Sequence, residues 1–322
     1  MFLRIGDIMD FIYILIGLAG LYFGGEGLVR GSVALAERIG VSQLIIGLTI
    51  VGMGTSAPEL LVSLQAALSG KPDIALGNVV GSNIANILLI LGVSAMVYPI
   101  AHWDSAVRRD ALVAMAAAAS LYFLVQFDVI GRFSGLVMIA GLAAYLWMVY
   151  SAERKSAATK AYTELPGPLE RRDVQPTWIS VAFIIGGLLL LVIGADLLVS
   201  GAVNIARNFG VPESVIGLTI VAVGTSLPEL ATSVTAALKK HSDVALGNVV
   251  GSNIFNILGI LGITALVSPV GIDHGISQFD APLMGMVTLG LLAVLYLRHS
   301  ITKQMGGLMV AGYAAYLFWL FV

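Results

Sequence analysis

One stretch of this chain occurs twice. Shifted by 170 positions, residues 47–92 fall on 217–262 with 32 identities in 46 positions. GLTIV at 47 returns at 217, GTSAPEL at 54 returns as GTSLPEL at 224, and ALGNVVGSNIANIL at 75 returns as ALGNVVGSNIFNIL at 245. Fainter echoes flank this core: Glu26-Gly-Leu-Val against Asp196-Leu-Leu-Val, Pro99 against Pro269, and Asp110 against Asp280. Solenoid periods are roughly 20–50 residues. A repeat this distant is therefore a duplicated half-protein.

Composition says where the halves reside. Of 322 residues, 58% are hydrophobic and 11% charged, against about 45–50% and 25% in soluble domains. Mean hydropathy is +0.95. A spanning helix needs about 20 mostly apolar residues. Ten such runs are predicted, near 8–29, 41–68, 73–97, 111–127, 131–150, 178–200, 212–238, 243–267, 281–297 and 305–322. The expected fold class is thus an all-α membrane protein. A first five-helix half covers 1–150 and a second 178–322, joined by a polar central loop at 151–177 that holds nine charges.

Five spans separate each copy from its partner, and five is odd, so the copies enter the bilayer from opposite sides. Loop charge sets the orientation. With the central loop in the cytoplasm, 13 basic residues lie inside and Arg4, Lys71, Arg132 and Arg207 lie outside, which accounts for all 17. Both termini are then extracytoplasmic, and the short loops fit a multi-pass protein of a prokaryotic plasma (inner) membrane. MFLRIGDIMD lacks the pattern of a cleaved signal peptide, so the first run is expected to remain as a helix.

Several function classes drop out. A net charge of -2 without a long basic tract argues against nucleic-acid binding. Zero cysteines exclude disulfide scaffolds and thiolate metal sites. No Ser-His-Asp set, HExxH motif or P-loop points to an enzyme. Neither a resident cofactor nor an obligatory protein partner is predicted; the expected partner is the lipid bilayer.

The chemistry sits in the repeat. Glu59 and Glu229 fall in the middle of apolar spans, where an ionised carboxylate costs a few kcal/mol and marks a functional position by default. Pro58 and Pro228 cannot donate to the carbonyls of Gly54 and Gly224. Freed carbonyls beside a carboxylate make a hard-oxygen cation site. Thr55 and Glu59, like Thr225 and Glu229, are four apart and would share a face of a continuous helix. Asn78, Ser82 and Asn86 form a stripe in the next span, repeated at Asn248, Ser252 and Asn256. Packing explains Asn78, Asn83, Asn248 and Asn253 equally well. Gly77/Gly81 and Gly247/Gly251 make GxxxG pairs that let helix backbones approach closely. Carboxylate, amide, hydroxyl and carbonyl oxygen suit Na+ or Ca2+ and poorly suit zinc, copper or nickel. Glu26 and Asp196, near opposite ends of their helices, are read as structural hydrogen-bonding residues in preference to a place in ion access, and Asp73 and Asp243 as N-caps.

At these residues the chain resembles the calcium/cation antiporter superfamily, in its prokaryotic sodium/calcium exchanger branch. GTSAPE with GNVVGSNIAN, and GTSLPE with GNVVGSNIFN, look like that family's two alpha repeats. The resemblance implies ion ligands at Thr55, Ser56, Glu59, Ser82 and Asn86, and at Thr225, Ser226, Glu229, Ser252 and Asn256. It also implies backbone oxygens near Gly52 and Ala222 and at Thr55 and Thr225. Potassium-dependent members, and some archaeal exchangers, carry Asp where this chain has Asn256, so by analogy the resemblance implies exchange that needs no K+. The short central loop leaves no room for a calcium-sensing domain.

The expected activity is therefore secondary antiport of Na+ against Ca2+ by alternating access. Exchange of Ca2+ for H+ is the alternative on the same scaffold, because a buried glutamate can carry a proton. A cation channel is the rival from another class; it would line a continuous pore.

Overall fold

The computed structural model describes residues 5–101, 103, 105–163, 176–209, 222–272, 276–298 and 300–320. The first half contains α1 (Ile5–Ile39), α2 (Gln43–Thr55), α3 (Ala57–Leu68), α4 (Pro72–Val97), α5 (Ser105–Leu124) and α6 (Arg132–Thr163). The second contains α7 (Thr177–Asn208), α8 (Ala222–Thr225), α9 (Leu227–Leu238), α10 (Ser242–Val267), α11 (Ala281–Leu297) and α12 (Lys303–Leu320). Among the described residues four two-residue strands fill the turns: β1 (Ile100–Ala101), β2 (Val129–Ile130), β3 (Val270–Gly271) and β4 (Ser300–Ile301).

Among the described residues six helices are long and apolar enough to cross a membrane, and the pair α2–α3 makes a seventh if counted as one bent span. Two of the ten predicted runs fall short of that measure. The α5 helix opens on Arg108, Arg109 and Asp110, and α12 carries Lys303, Gln304 and three glycines. The run at 212–238 extends over residues outside the described ones. The helix α6 continues to Thr163, into the stretch read as loop. Ala, Glu, Lys and Arg dominate there and no Gly or Pro intervenes before Pro166.

Glycine packing brings the halves together. The α1 and α7 helices lie antiparallel in backbone contact: a Cβ on Gly17 would stand 2.7 Å from the Gly194 carbonyl, and one on Gly24 2.8 Å from the Leu191 amide. Gly31 meets the Ser180 carbonyl in the same descending order. Because Gly17 and Gly24 are the counterparts of Gly187 and Gly194, the pairing maps onto itself under the 170-residue shift. Gly92 of α4 likewise meets Gly306 of α12, and its counterpart Gly262 of α10 meets α6 near Met138 and Ile139. Such helix contacts are dispersion-driven and need small residues, since lipid offers no hydrophobic gain between helices.

The strands repeat the theme. β1 pairs antiparallel with β4, Ile100 opposite Ile301, and β2 pairs with β3, Ile130 opposite Val270. The first clasp shares its end of the bundle with the start of α2 and the α9–α10 turn, since Gln43, Ala101 and Lys240 line one cavity of about 450 Å³ there. At the second clasp Gly271 approaches Pro72, at the start of α4. Leu15, Phe133 and Leu189 point outward while Thr55, Ser56, Glu59, Asn248 and Glu229 are buried. That apolar-outside, polar-inside arrangement is the reverse of a soluble core.

Candidate ion-binding site

The sequence predicts a proline kink; the structure makes it a full break. The α2 helix ends at Thr55, Ser56 sits at φ −81° and ψ 11°, and α3 restarts at Ala57 with its axis bent by 43°. Pro58 thus occupies the first turn of α3, where a missing N–H costs nothing. In the second half Ser226 takes φ −90° and ψ 7° between α8 and α9, with Pro228 in the equivalent first turn. The shared face foreseen for Thr55 and Glu59 is replaced by a corner. Thr55 closes one helix and Glu59 opens the next.

This placement lowers the cost of the buried acids. Both glutamates lie in the first turn of a helix, where unpaired N–H groups and the macrodipole favour negative charge. Each is 1% exposed. Their contacts cross between the halves: Ser56 Oγ donates to Glu229 Oε1 at 2.8 Å, and Ser226 Oγ donates to Glu59 Oε1 at 3.2 Å. Oε2 of each glutamate is buried with no hydrogen-bond partner among the described residues. A buried carboxylate oxygen left unpaired is expensive, and a cation is the partner that such oxygens accept most favourably.

The asparagines brace the break. Asn78 Nδ2 donates to the Glu59 carbonyl at 3.0 Å and to Ser63 Oγ at 2.8 Å. Asn248 repeats this with the Glu229 carbonyl at 3.2 Å and Ser233 Oγ at 2.9 Å. A carbonyl only accepts, so Asn248 must turn its Oδ1 the other way, where Thr55 Oγ1 donates to it at 3.2 Å. The Gly52 carbonyl, 3.4 Å from the same hydroxyl, is a second acceptor for its one proton, and the lone pairs of Thr55 Oγ1 are left for another ligand. Asn78 and Asn248 act on the backbone of the glutamates, a role the sequence left indistinguishable from packing.

The remaining candidates gather at the crossing of α4 and α10. Ser252 Oγ donates to the Gly52 carbonyl at 3.1 Å, so that carbonyl already has partners. Ser82, Asn86 and Asn256 are buried, and Thr225 is partly buried. Asn86 and Asn256 lie in π-helical segments, Asn86–Leu91 and Phe255–Leu261. Such wide turns recur at functional sites, and nothing in the sequence announced them. Each segment packs against the helix bearing the other half's glutamate. Oδ1 of both asparagines is buried without a partner among the described residues.

Other expectations resolve outside this cluster. Glu26 forms an ion pair with Lys239, joining α1 to the end of α9. Asp73 and Asp243 stand in the first turns of α4 and α10, while the cap positions belong to Lys71 and His241. Three of the four histidines, His102, His274 and His299, lie outside the described residues.

Comparison with known proteins places these features in context. A family model described as sodium/calcium exchanger protein matches residues 9–151 and 179–322. A protein of Alkalimonas amylolytica carrying the name CaxA is 40% identical over 87% of this chain and 88% of its own. The sodium/calcium exchanger MaX1 of Methanosarcina acetivorans is 32% identical over 97% of this chain and 99% of its own. Among solved structures, the sodium-calcium exchanger NCX_Mj without Na+ and Ca2+ superimposes with a TM-score of 0.83 at 31% identity, covering 97% of this chain and 99% of that one.

Proposed function

From the premise that this chain belongs to the sodium/calcium exchanger family, and is a membrane antiporter rather than an enzyme, we propose that it exchanges Na+ for Ca2+ by alternating access. The observation that carries this reading is the pair of reciprocal contacts, Ser56 with Glu229 and Ser226 with Glu59, which bury two carboxylates between the halves. Ca2+ binds between Glu59 and Glu229, backed by Thr55 and Thr225. Sodium ions use the same carboxylates with Ser56, Ser82, Ser226 and Ser252, and Asn86 and Asn256 complete the oxygen set.

Shared carboxylates enforce exchange. An empty site holds two buried acids, and carrying them unliganded through the conformational change is costly. A bound cation of either kind removes that cost, so one ion leaves only as another arrives. The halves work as inverted five-helix repeats with ten spans. Antiparallel packing of α1 on α7 and of each strand pair supports that topology. The protein resides in a prokaryotic plasma membrane with both termini outside.

Radiolabelled Ca2+ uptake into proteoliposomes tests the proposal. Vesicles loaded with Na+ and diluted into Na+-free buffer should accumulate Ca2+ saturably, and vesicles given only a pH gradient should not. Uptake driven by the pH gradient alone would make H+ the counter-ion. Unsaturable flux needing no ion on the opposite side would point to a channel.

A further inference from the structure

Asn253 belongs to the repeated motif but not to the ligand set implied by the family resemblance, and its hydrogen bonds give it a definite task. It is 3% exposed at the crossing of α4 and α10. Its Nδ2 donates to the backbone carbonyl of Asn83 at 3.3 Å. A carbonyl has no proton to give, so this bond fixes which end of the Asn253 amide faces which way. The Oδ1 end is then the one turned to Asn86, and Asn86 Nδ2 donates to it at 2.9 Å. Asn86 can meet an acceptor only with its NH2 group. Its own Oδ1 is therefore held on the opposite side, buried and without a hydrogen-bond partner among the described residues.

The direction of this chain matters because a cation needs a lone pair, and an amide rotated by half a turn would offer it two protons instead. We propose that Asn253 is a positioning residue that locks the Asn86 amide with its oxygen toward the transported cation. The proposal rests on the reading of Asn86 as a cation ligand. It also separates the halves: Asn83, the counterpart of Asn253, spends its Nδ2 on the Val79 carbonyl of its own helix at 2.6 Å. The Asn86 oxygen is thus set from across the interface, and Asn83 does not do the same for Asn256.

The test is a double-mutant cycle read by Ca2+ binding calorimetry on the purified full chain, in choline buffer without Na+. Loss of an outer partner to a metal ligand weakens affinity about 10–100-fold, and Asn253→Leu should raise the Ca2+ dissociation constant by that factor. In an Asn86→Ala background the same substitution should change it by less than about twofold, because the residue it acts through is gone. Affinity unchanged in Asn253→Leu would overturn the proposal. So would a factor that persists in the Asn86→Ala background, since that marks a general packing role. Asn253→Ala carries the same two readings if the leucine variant is not monodisperse. A wild type that binds Ca2+ but exchanges it only for H+ would sink the Na+ reading and leave this cycle intact; one that binds no Ca2+ would sink both.

Discussion

Replacing one buried acid should pull function and stability in opposite directions. In Glu59→Gln the side chain keeps its shape and keeps a carbonyl-type oxygen for the Ser226 hydroxyl, which lies 3.2 Å from Glu59 Oε1. What it loses is a charge at a site that is 1% exposed. An acid at mid-membrane costs about 2.5–3.5 kcal/mol on the insertion scale, and its first-turn position on α3 already recovers part of that. The ion-free variant should therefore be more stable than the ion-free wild type by about 1–2 kcal/mol. Ca2+ binding should fall by the cost of breaking a buried charge pair, about 3–5 kcal/mol, or roughly a hundred- to several-thousand-fold. Thermal unfolding in detergent, with and without Ca2+ in choline buffer, reads both effects. The variant should unfold at a higher temperature than wild type without ions and should lose the upward shift that Ca2+ gives wild type. An ion-free variant that unfolds earlier, or a Ca2+ shift equal to that of wild type, would refute the argument that Glu59 is an unpaired acid awaiting a cation.

Three further outcomes follow from the packing. Lys240 adopts φ 64° after α9, where its counterpart Gly70 sits at φ 72°; Lys240→Gly should stabilise the protein by about 1 kcal/mol, seen as a higher unfolding temperature with Ca2+ affinity unchanged. A Cβ on Gly251 would stand 2.3 Å from the Leu48 carbonyl, so Gly251→Ala should force α10 from α2 and abolish Ca2+ binding, checked by size-exclusion profile and calorimetry. Burial, with Lys239 beside it, pushes the His241 imidazole below its usual 6.5, against the weaker opposing pull of Glu37 and Asp243. The unfolded chain then takes up a proton more readily than the folded one. The stability that neutral His241 contributes is whole above about pH 6.5 and is lost as pH falls below it; unfolding scans from pH 7.5 to about 5 should show a smaller acid-side decline in His241→Gln.

What could be read in advance was whatever the duplication repeats. Two glutamates in the same heptapeptide could be paired without knowing any distance, and Pro58 flagged the interruption of α2–α3. The position of the break at Ser56 was hidden, because a proline marks a helix start as readily as a kink, and only the neighbouring backbone decides between them. The asparagines were ambiguous for a related reason. Asn78 and Asn83 are both amides on the same helix, yet Asn78 reaches the Glu59 carbonyl of the preceding helix and Asn83 returns to Val79 on its own. Spacing along one helix cannot tell these apart. The cross-half contacts join residues 167 and 173 positions apart, a geometry fixed by glycine contacts between whole helices rather than by any local signal.

The two copies share a motif without sharing a job at every position, and only one of the differences follows from a changed residue. Glu26 finds Lys239 at the end of α9, whereas its counterpart Asp196 would need a cation at Ser69 and the sequence supplies none. The ion pair therefore ties α1 to the second half's broken helix, and among the described residues no ion pair ties α7 to the first half's. Ser56 approaches Glu229 more closely than Ser226 approaches Glu59, and Asn253 orients Asn86 while Asn83 bonds within its own helix. An exactly two-fold site would present the same face to both sides of the membrane. The two-fold symmetry is thus broken in part by sequence, where Lys239 meets Glu26, and in part by conformation, where identical serines and asparagines hold different partners in the two halves.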